Sequence, residues 1–210
     1  EADSDLALSG AVDAQNRGLI RAGGRMDAAA GEVAVPDAHR GLPGSEARRG
    51  GGSSGEPARL HNNGRIRIGQ DGLLDLAGAQ IGDIEAGRDL LLWWAPDASE
   101  GSGRAQAGRD LYLFLPRPDQ AATPPQTGGR TFRAGQDLLL LPAPEKGLAR
   151  DELPATLLAL VNAESADAPR DYLNRDALFA GRDLRVRTGG AFDNAATIEA
   201  QRDIDIVPQR

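Results

Sequence analysis

The sequence predicts an all-β fold, a right-handed parallel β-helix of about eight coils. The first observation is a repeat, because Ala-Gly-Arg-Asp-Leu occurs at 86–90, 107–111 and 180–184, with close variants at 134–138 and 200–204. The second is that apolar residues alternate with other residues on both sides of the Gly-Arg-Asp turn, which is typical of strands joined by a tight turn. A unit of about 20 residues cannot bury its own apolar row, so successive units must stack.

The units align on a column that holds aspartate in seven of eight copies. Its members are Asp5, Arg25, Asp71, Asp89, Asp110, Asp137, Asp183 and Asp203. Successive members are separated by 20, 46, 18, 21, 27, 46 and 20 residues. Each interval of 46 residues fits one coil of about 20 residues plus an insertion of about 26.

Further columns predict what lies inside the coils. Asparagine recurs nine residues before the aspartate column, at Asn16, Asn62, Asn174 and Asn194. Aliphatic residues recur five residues before it, including Ile20, Ile66, Ile84 and Ile198, and again one and three residues after it. These columns predict continuous apolar ladders in the interior. The unit at Asp71 carries one extra residue, Gly72, and we expect a β-bulge there.

The aspartate column itself has two interpretations. Aspartate side chains accept hydrogen bonds from nearby backbone N–H groups and so stabilise turns, and the arginine that precedes most of them can screen the stacked carboxylates. The alternative is a calcium-binding ladder, but the Gly-Gly-x-Gly-x-Asp pattern of calcium β-rolls is missing from the sequence. We favour the turn interpretation, and we expect neither a metal nor another cofactor.

We expect residues 1–210 to form one domain that is interrupted by two insertions. Residues 34–58 are rich in Gly, Ser and Pro, which is loop composition. Residues 142–173 contain an acidic start followed by leucines at helical spacing, which predict one short α-helix over 151–164. We expect that helix to pack on an outer face of the coils.

The outward positions after the aspartate column are apolar in three neighbouring units. They hold Leu91, Trp93, Tyr112, Phe114, Leu139 and Leu141. An apolar patch of this size needs a cover or a partner. One interpretation is that the helix over 151–164 covers it, and the other is that it docks a protein or a sugar. The candidate binding residues are Trp93, Trp94, Tyr112 and Phe114, together with His39, Arg48 and Arg49 of the first insertion.

The composition argues against several classes of function. The chain has 24 Lys and Arg against 31 Asp and Glu, a net charge of −7, so nucleic acid is not an expected partner. It has no cysteine, which excludes disulfide scaffolds and thiol catalysis, and no apolar run of 18 residues that would span a membrane. There are two histidines and no nucleophile elbow, phosphate loop or spaced histidine pair, so we expect no catalytic residues.

The repeat Asn-x-Gly-x-Ile-x-Ala-Gly-Arg-Asp-Leu-x-Leu resembles the haemagglutinin repeat of filamentous haemagglutinin-like exoproteins. The best matches are residues 80–92, 174–186 and 194–206. Proteins of this family are the large secreted partners of bacterial two-partner secretion systems, and they include adhesins and contact-dependent growth-inhibition effectors. The Asn-Pro-Asn-Gly-Ile sequence of that family's secretion domain is missing here, so the resemblance implies an internal segment of a longer rod.

The resemblance implies a secreted filament at the surface of a Gram-negative cell. It also implies two partners, an outer-membrane transporter that exports the parent protein and a receptor protein or glycan on another cell. The leading hypothesis is a non-enzymatic segment that mediates cell contact, adhesion or receptor recognition. The alternatives are a polysaccharide-processing β-helix enzyme, which would use clustered carboxylates and arginine on an outer sheet face, and a passive rod spacer.

Overall fold

The computed structural model describes residues 2–8, 14–28, 60–76, 80–94, 101–115, 129–142, 171–188 and 190–208. These residues contain no helix, and their regular structure consists of strands. The strands are β1 (Leu6–Ala7), β2 (Ala14–Asn16), β3 (Leu19–Ala22), β4 (Met26–Ala28), β5 (Leu60–Asn62), β6 (Arg65–Ile68), β7 (Gly72–Leu76), β8 (Gly82–Ala86), β9 (Leu90–Trp94), β10 (Gly103–Ala107), β11 (Leu111–Leu115), β12 (Arg130–Ala134), β13 (Leu138–Pro142), β14 (Tyr172–Asn174), β15 (Ala177–Ala180), β16 (Asp183–Thr188), β17 (Phe192–Asn194), β18 (Ile198–Ala200) and β19 (Asp203–Pro208).

The strands stack in parallel, and the predicted β-helix is confirmed. One sheet contains ten strands, and its main path runs β1-β4-β7-β9-β11-β13-β16-β19, with one strand from each of eight coils. A second sheet of seven strands runs β18-β15-β12-β10-β8-β6-β3. The two sheets lie on either side of the Gly-Arg-Asp turns, since strands of the seven-stranded sheet precede those turns and strands of the main path follow them.

A third face of the coils is formed at the asparagine column. Strands β2 and β5 pair there in the N-terminal part, and β14 pairs with β17 in the C-terminal part. All four strands end at an asparagine of the column. In two of the coils between them this column holds Gln80 and Gly101, and neither residue lies in a strand.

Both intervals of 46 residues advance the chain by a single coil, as the spacing predicts. Asn16 pairs in register with Asn62, and Leu138 pairs with Leu184. The bulk of the two insertions, and with it the predicted helix over 151–164, lies outside the described residues. Those predictions, and the expectation of a single domain, stay predictions.

The interior is built from the predicted apolar ladders. Ile66 and Ile84 are fully buried, and Ile20 and Ile198 near the two ends of the stack are partly buried and pack against the same core. The ladder varies in size between coils, because Ala105 lies in register between Ile84 and Phe132. The small and large side chains of adjacent coils therefore share the interior space.

The predicted bulge at Gly72 is wrong. Gly72 pairs in register with Met26 and Leu90, so it fills an ordinary inward position and adds no residue to the coil. The reason is that two neighbouring inward positions exchange size in this coil. Ile68 is larger than the alanine that other coils carry in its column, and Gly72 is correspondingly smaller than Met26 and Leu90. A Cβ on Gly72 would lie 2.6 Å from Cδ1 of Ile68. Leu73 consequently faces outward, and Leu74 takes the next inward position.

This size exchange predicts the effect of restoring the common residue. Gly72→Leu is expected to destabilise the protein by about 1–3 kcal/mol, because the added side chain overpacks the interior against Ile68. The double variant Ile68→Ala/Gly72→Leu is expected to recover most of that loss. Urea denaturation measures both. A Gly72→Leu variant as stable as the parent would contradict this packing.

Candidate functional site

The described aspartates of the turn column form a ladder that joins successive coils. The Oδ1 atom of Asp89 accepts a hydrogen bond from the backbone N–H of Asp110 at 3.3 Å. Asp110 accepts one from Asp137 at 3.2 Å, and Asp137 accepts one from Asp183 at 3.3 Å. We call Asp71, Asp89, Asp110, Asp137 and Asp183 the aspartate ladder. The first four members each accept a backbone hydrogen bond from the turn of the following coil, which supports the turn interpretation of this column.

Where a turn carries arginine, its guanidinium reaches back by one coil to the preceding aspartate. Nε of Arg109 lies 2.7 Å from Asp89, and Nη2 of the same guanidinium bonds the other carboxylate oxygen. Arg182 makes the same bidentate contact with Asp137, and Arg202 makes it with Asp183. Such paired bonds are geometrically specific and strong for surface contacts.

These arginine contacts shift the pKa values of the ladder. The pKa of Asp137 is lowered chiefly by its bond to Arg182, and the pKa of Asp183 is lowered chiefly by its bond to Arg202. The pKa values of Arg182 and Arg202 are raised by the same bonds. Both carboxylates are therefore held in the ionised form by the coil that follows them.

The ladder has one weak step, at Asp110. The residue that would hold this carboxylate is Gln136, in the position that arginine occupies at Arg88, Arg109, Arg182 and Arg202. The pKa of Asp110 is raised, first by burial and then by the charges of Asp89 and Asp137, although its hydrogen bond from the Asp137 backbone acts in the opposite direction. Asp110 therefore lies between two carboxylates and contacts Arg109 of its own turn at 3.4 Å, while the next coil supplies Gln136 in place of an arginine.

Gln136→Arg is expected to complete the ladder and stabilise the protein by about 0.2–1 kcal/mol, the range for exposed ion pairs. It should also lower the pKa of Asp110, which carbon-detected NMR titration measures. The raised pKa of Asp110 in the parent chain means that its contribution to stability is present at acidic pH and is lost as pH rises through the folded-state pKa. The gain in Tm from Gln136→Arg should therefore increase as pH rises through that range. A gain that does not change with pH would contradict this electrostatic explanation.

The asparagine column forms a second polar ladder, which is buried at Asn16, Asn62 and Asn174 and exposed at Asn194. Nδ2 of Asn16 donates to Oδ1 of Asn62 at 2.7 Å, and Nδ2 of Asn62 donates to the carbonyl of Ile81 at 2.7 Å. Asn174 donates to Asn194 at 2.7 Å. The Oδ1 atoms also accept backbone N–H groups two residues further along. These bonds satisfy buried amides at the bends, so the column has a structural role.

A buried ion pair between Arg130 and Asp176 is the polar feature that the sequence reasoning missed. Both side chains are 1% exposed, and Nη1 of Arg130 lies 3.5 Å from Oδ2 of Asp176. The backbone N–H of Arg130 also donates to Oδ1 of Asp176 at 3.0 Å. The sequence did carry a signal for this pair. Seven residues before the aspartate column, four units have glycine, whereas two neighbouring units have Arg130 and Asp176.

The predicted outer patch exists as a second apolar cluster, packed outside the coils. This outer cluster consists of Leu73, Leu91, Trp93, Tyr112, Phe114, Leu139 and Leu141. Strand register places Trp93, Phe114 and Leu141 in one row. The rings of Trp93 and Phe114 are stacked, with centroids 4.1 Å apart. Leu73 was missed because the supposed bulge at Gly72 assigned it to the interior.

Burial separates the candidate binding residues into two groups. Phe114 and Leu141 have no exposed surface, whereas Trp93 and Tyr112 are half-buried. Burial, with the nearby charges of Asp110 and Asp89, raises the pKa of Tyr112 to about 12, so its hydroxyl stays protonated at neutral pH. Trp93 and Tyr112 are thus the most exposed members of the outer cluster.

The remaining candidates are placed only in part. Trp94 lies in β9, in register with Leu76. His39, Arg48 and Arg49 lie outside the described residues, as does the helix proposed to cover the outer cluster. Their assignment to a binding site stays a prediction.

The described residues hold neither a cluster of metal-binding side chains nor a membrane-spanning helix. No group of three or more His, Cys, Asp or Glu side chains within them is arranged to hold a metal ion. Within the same ranges, no helical segment has the length and apolar character needed to traverse a bilayer. Comparison with protein-family models, with curated proteins and with solved structures found no match for the chain.

Proposed function

We propose that this chain is a non-enzymatic segment of a large secreted filament protein that mediates contact, adhesion or receptor recognition between cells. The observation that carries the proposal is the unbroken stack of eight coils. At a spacing of about 4.8 Å per coil, the stack extends over roughly 40 Å. Such a rod can hold a binding region away from a cell surface.

The bonding between coils supports a stiff rod. Backbone hydrogen bonds run through the turns as well as through the sheets, since the N–H of Gly135 donates to the carbonyl of Ala107 and the N–H of Gly181 donates to that of Ala134. The aspartate ladder and its arginines add side-chain bonds along the same edge. Each coil in such a stack contacts its neighbours directly, and bonds at both the sheets and the turns oppose bending between adjacent coils.

The proposed secreted location and the transporter that would export the parent protein rest on the resemblance of the repeat. The proposed recognition elements are the two insertions and the accessible edge of the outer cluster, because binding groups collect on loops that a rigid scaffold supports. We propose a receptor protein or a glycan on the contacted cell as the partner.

A bead assay tests the proposed function. Beads coated with the intact chain are expected to attach to target cells in a saturable way, and deletion of 34–58 together with 143–170 is expected to abolish attachment. Trp93→Ser, at the half-buried edge of the outer cluster, is the point variant, and Arg67→Met on the opposite sheet is its control. Phe114 is unsuitable, because its full burial would make a substitution a test of stability. Attachment that survives both deletions would contradict recognition and favour a spacer, and new reducing ends in added polysaccharide would favour an enzyme.

A further inference from the structure

A groove of about 310 Å³ crosses the outer face of the seven-stranded sheet near the turns. One wall is a row of outward side chains from four successive coils: Gln106, Arg133, Phe179 and Glu199. These residues are separated by 27, 46 and 20 positions in the sequence, and strand register alone brings them together. The row runs along the long axis of the stack.

The floor of the groove is bare backbone. Gly108, Gly135 and Gly181 lie at the turn position of three of the four coils. A side chain cannot stand there, because a Cβ on Gly135 would lie 2.1 Å from the carbonyl oxygen of Gly108. In the fourth coil this position holds Gln201, so an amide side chain borders that end of the groove. The groove is therefore open along its length and polar at one end.

Arg133 is the side chain that indicates which kind of ligand the groove would bind. Its guanidinium lies over the ring of Phe179, 4.6 Å from the ring centroid. The arginines of the turn ladder, such as Arg109 and Arg182, are held by carboxylates, whereas among the described residues Arg133 forms no salt bridge. Stacking on the ring fixes the plane of the guanidinium and leaves its donors available, an arrangement suited to a carboxylate.

The other groups are those that recognise hydroxyls. Gln106 and Gln201 carry amides that both donate and accept hydrogen bonds, and Glu199 carries an acceptor pair. Coils recur about every 4.8 Å along the row, a spacing comparable to that of sugar units in an extended glycan. A protein partner fits less well, because stable protein interfaces need roughly 1,000 Å² or more and an apolar centre.

We propose that this groove binds a linear oligosaccharide that carries a carboxylate, and that it does so without cleaving the sugar. The carboxylate pairs with Arg133, the sugar ring packs at the edge of Phe179, and hydroxyl groups bond to Gln106, Glu199 and Gln201. Cleavage is not expected, because Glu199 is the one carboxylate in the described lining of the groove and glycoside hydrolysis uses two. The inference rests on the proposed function in that it names a glycan as the partner on the contacted cell.

Titration of the purified chain tests the groove without cells. The probes are a hyaluronan tetrasaccharide, which carries carboxylates, and chitotriose, which is neutral. The hyaluronan probe is expected to bind, and Arg133→Met is expected to weaken that binding by about tenfold or more, the scale of a lost charged hydrogen bond. Phe179→Ser should have a similar effect. Arg67→Met, which removes an arginine from the same column three coils away, should leave binding unchanged.

The outcomes separate this inference from the proposed function. Absence of hyaluronan binding, unchanged binding by Arg133→Met, or equal affinity for chitotriose would overturn the assignment of the groove. Appearance of new reducing ends in the titrated sample would overturn binding without cleavage. If beads coated with the Arg133→Met variant still attach to cells, the groove is not the site of cell attachment. The filament proposal would be unaffected by that result. Circular dichroism and Tm confirm that each variant is folded.

Discussion

Asp176→Ala is expected to destabilise the protein by about 3–5 kcal/mol, the range measured when one partner of a buried ion pair is removed. The change deletes the carboxylate that faces the buried guanidinium of Arg130 and accepts its backbone N–H. Urea denaturation at neutral pH measures the loss. Asp193→Ala, an exposed aspartate of the next coil, is the control and should change stability by no more than about 0.5 kcal/mol.

A double variant separates the charge of this pair from its packing. Arg130→Met/Asp176→Leu replaces both charges with apolar side chains of similar size, which often restores or improves stability. It is expected to be clearly more stable than Asp176→Ala. If the double variant is as unstable as the single one, the burial of charge is not the cause, and the account of this pair is wrong.

Phe132→Ala is expected to cost about 3–5 kcal/mol, the range for deletion of a large buried aromatic side chain. Phe132 is fully buried, and it pairs in register with Ala105 on one side and Leu178 on the other. Because Ala105 is small, it cannot fill the cavity that the change leaves. Thermal and urea unfolding measure the effect.

The control for this change lies on the same sheet. Phe179→Ala removes a half-buried aromatic side chain from the outer face of the adjacent strand, so the loss of stability should be much smaller. Equal losses for the two variants would contradict the assignment of Phe132 to the interior and Phe179 to the outer face.

The fold could be predicted because the signal repeats. Alternation on both sides of the Gly-Arg-Asp turn defines which residues face inward, and eight copies repeat that information. The intervals of 46 residues were interpretable for the same reason, since Asn16 and Asn62 matched the pattern despite the insertion between them. Gly72 misled the alignment because most other units carry a larger apolar residue directly after the aspartate column. Leu73 was therefore assigned to that inward position, and Gly72 was treated as an extra residue. The exchange of size with Ile68 becomes visible only when coils are superposed.

The candidate sites were predicted less completely, because they depend on contacts between coils. The outer cluster followed from outward apolar positions, but the full burial of Phe114 depends on packing that alternation does not encode. Similarly, a turn arginine adjoins its own aspartate in sequence but bonds the aspartate of the previous coil. The groove combines Arg133 and Phe179, which lie 46 positions apart.

Disulfide trapping tests most directly whether the chain winds so that each coil lies on the previous one. The chain has no cysteine, so an introduced pair is the sole pair present. Thr131 and Ala177 are partners in the register of β12 and β15, although 46 residues separate them. Stacked winding predicts that Thr131→Cys/Ala177→Cys forms a disulfide rapidly under mild oxidation of the folded protein, since paired strands place Cα atoms within disulfide range. Thr131→Cys/Thr197→Cys, two coils apart, should not. Equal trapping of both pairs, or trapping only after unfolding, would contradict the stacked winding.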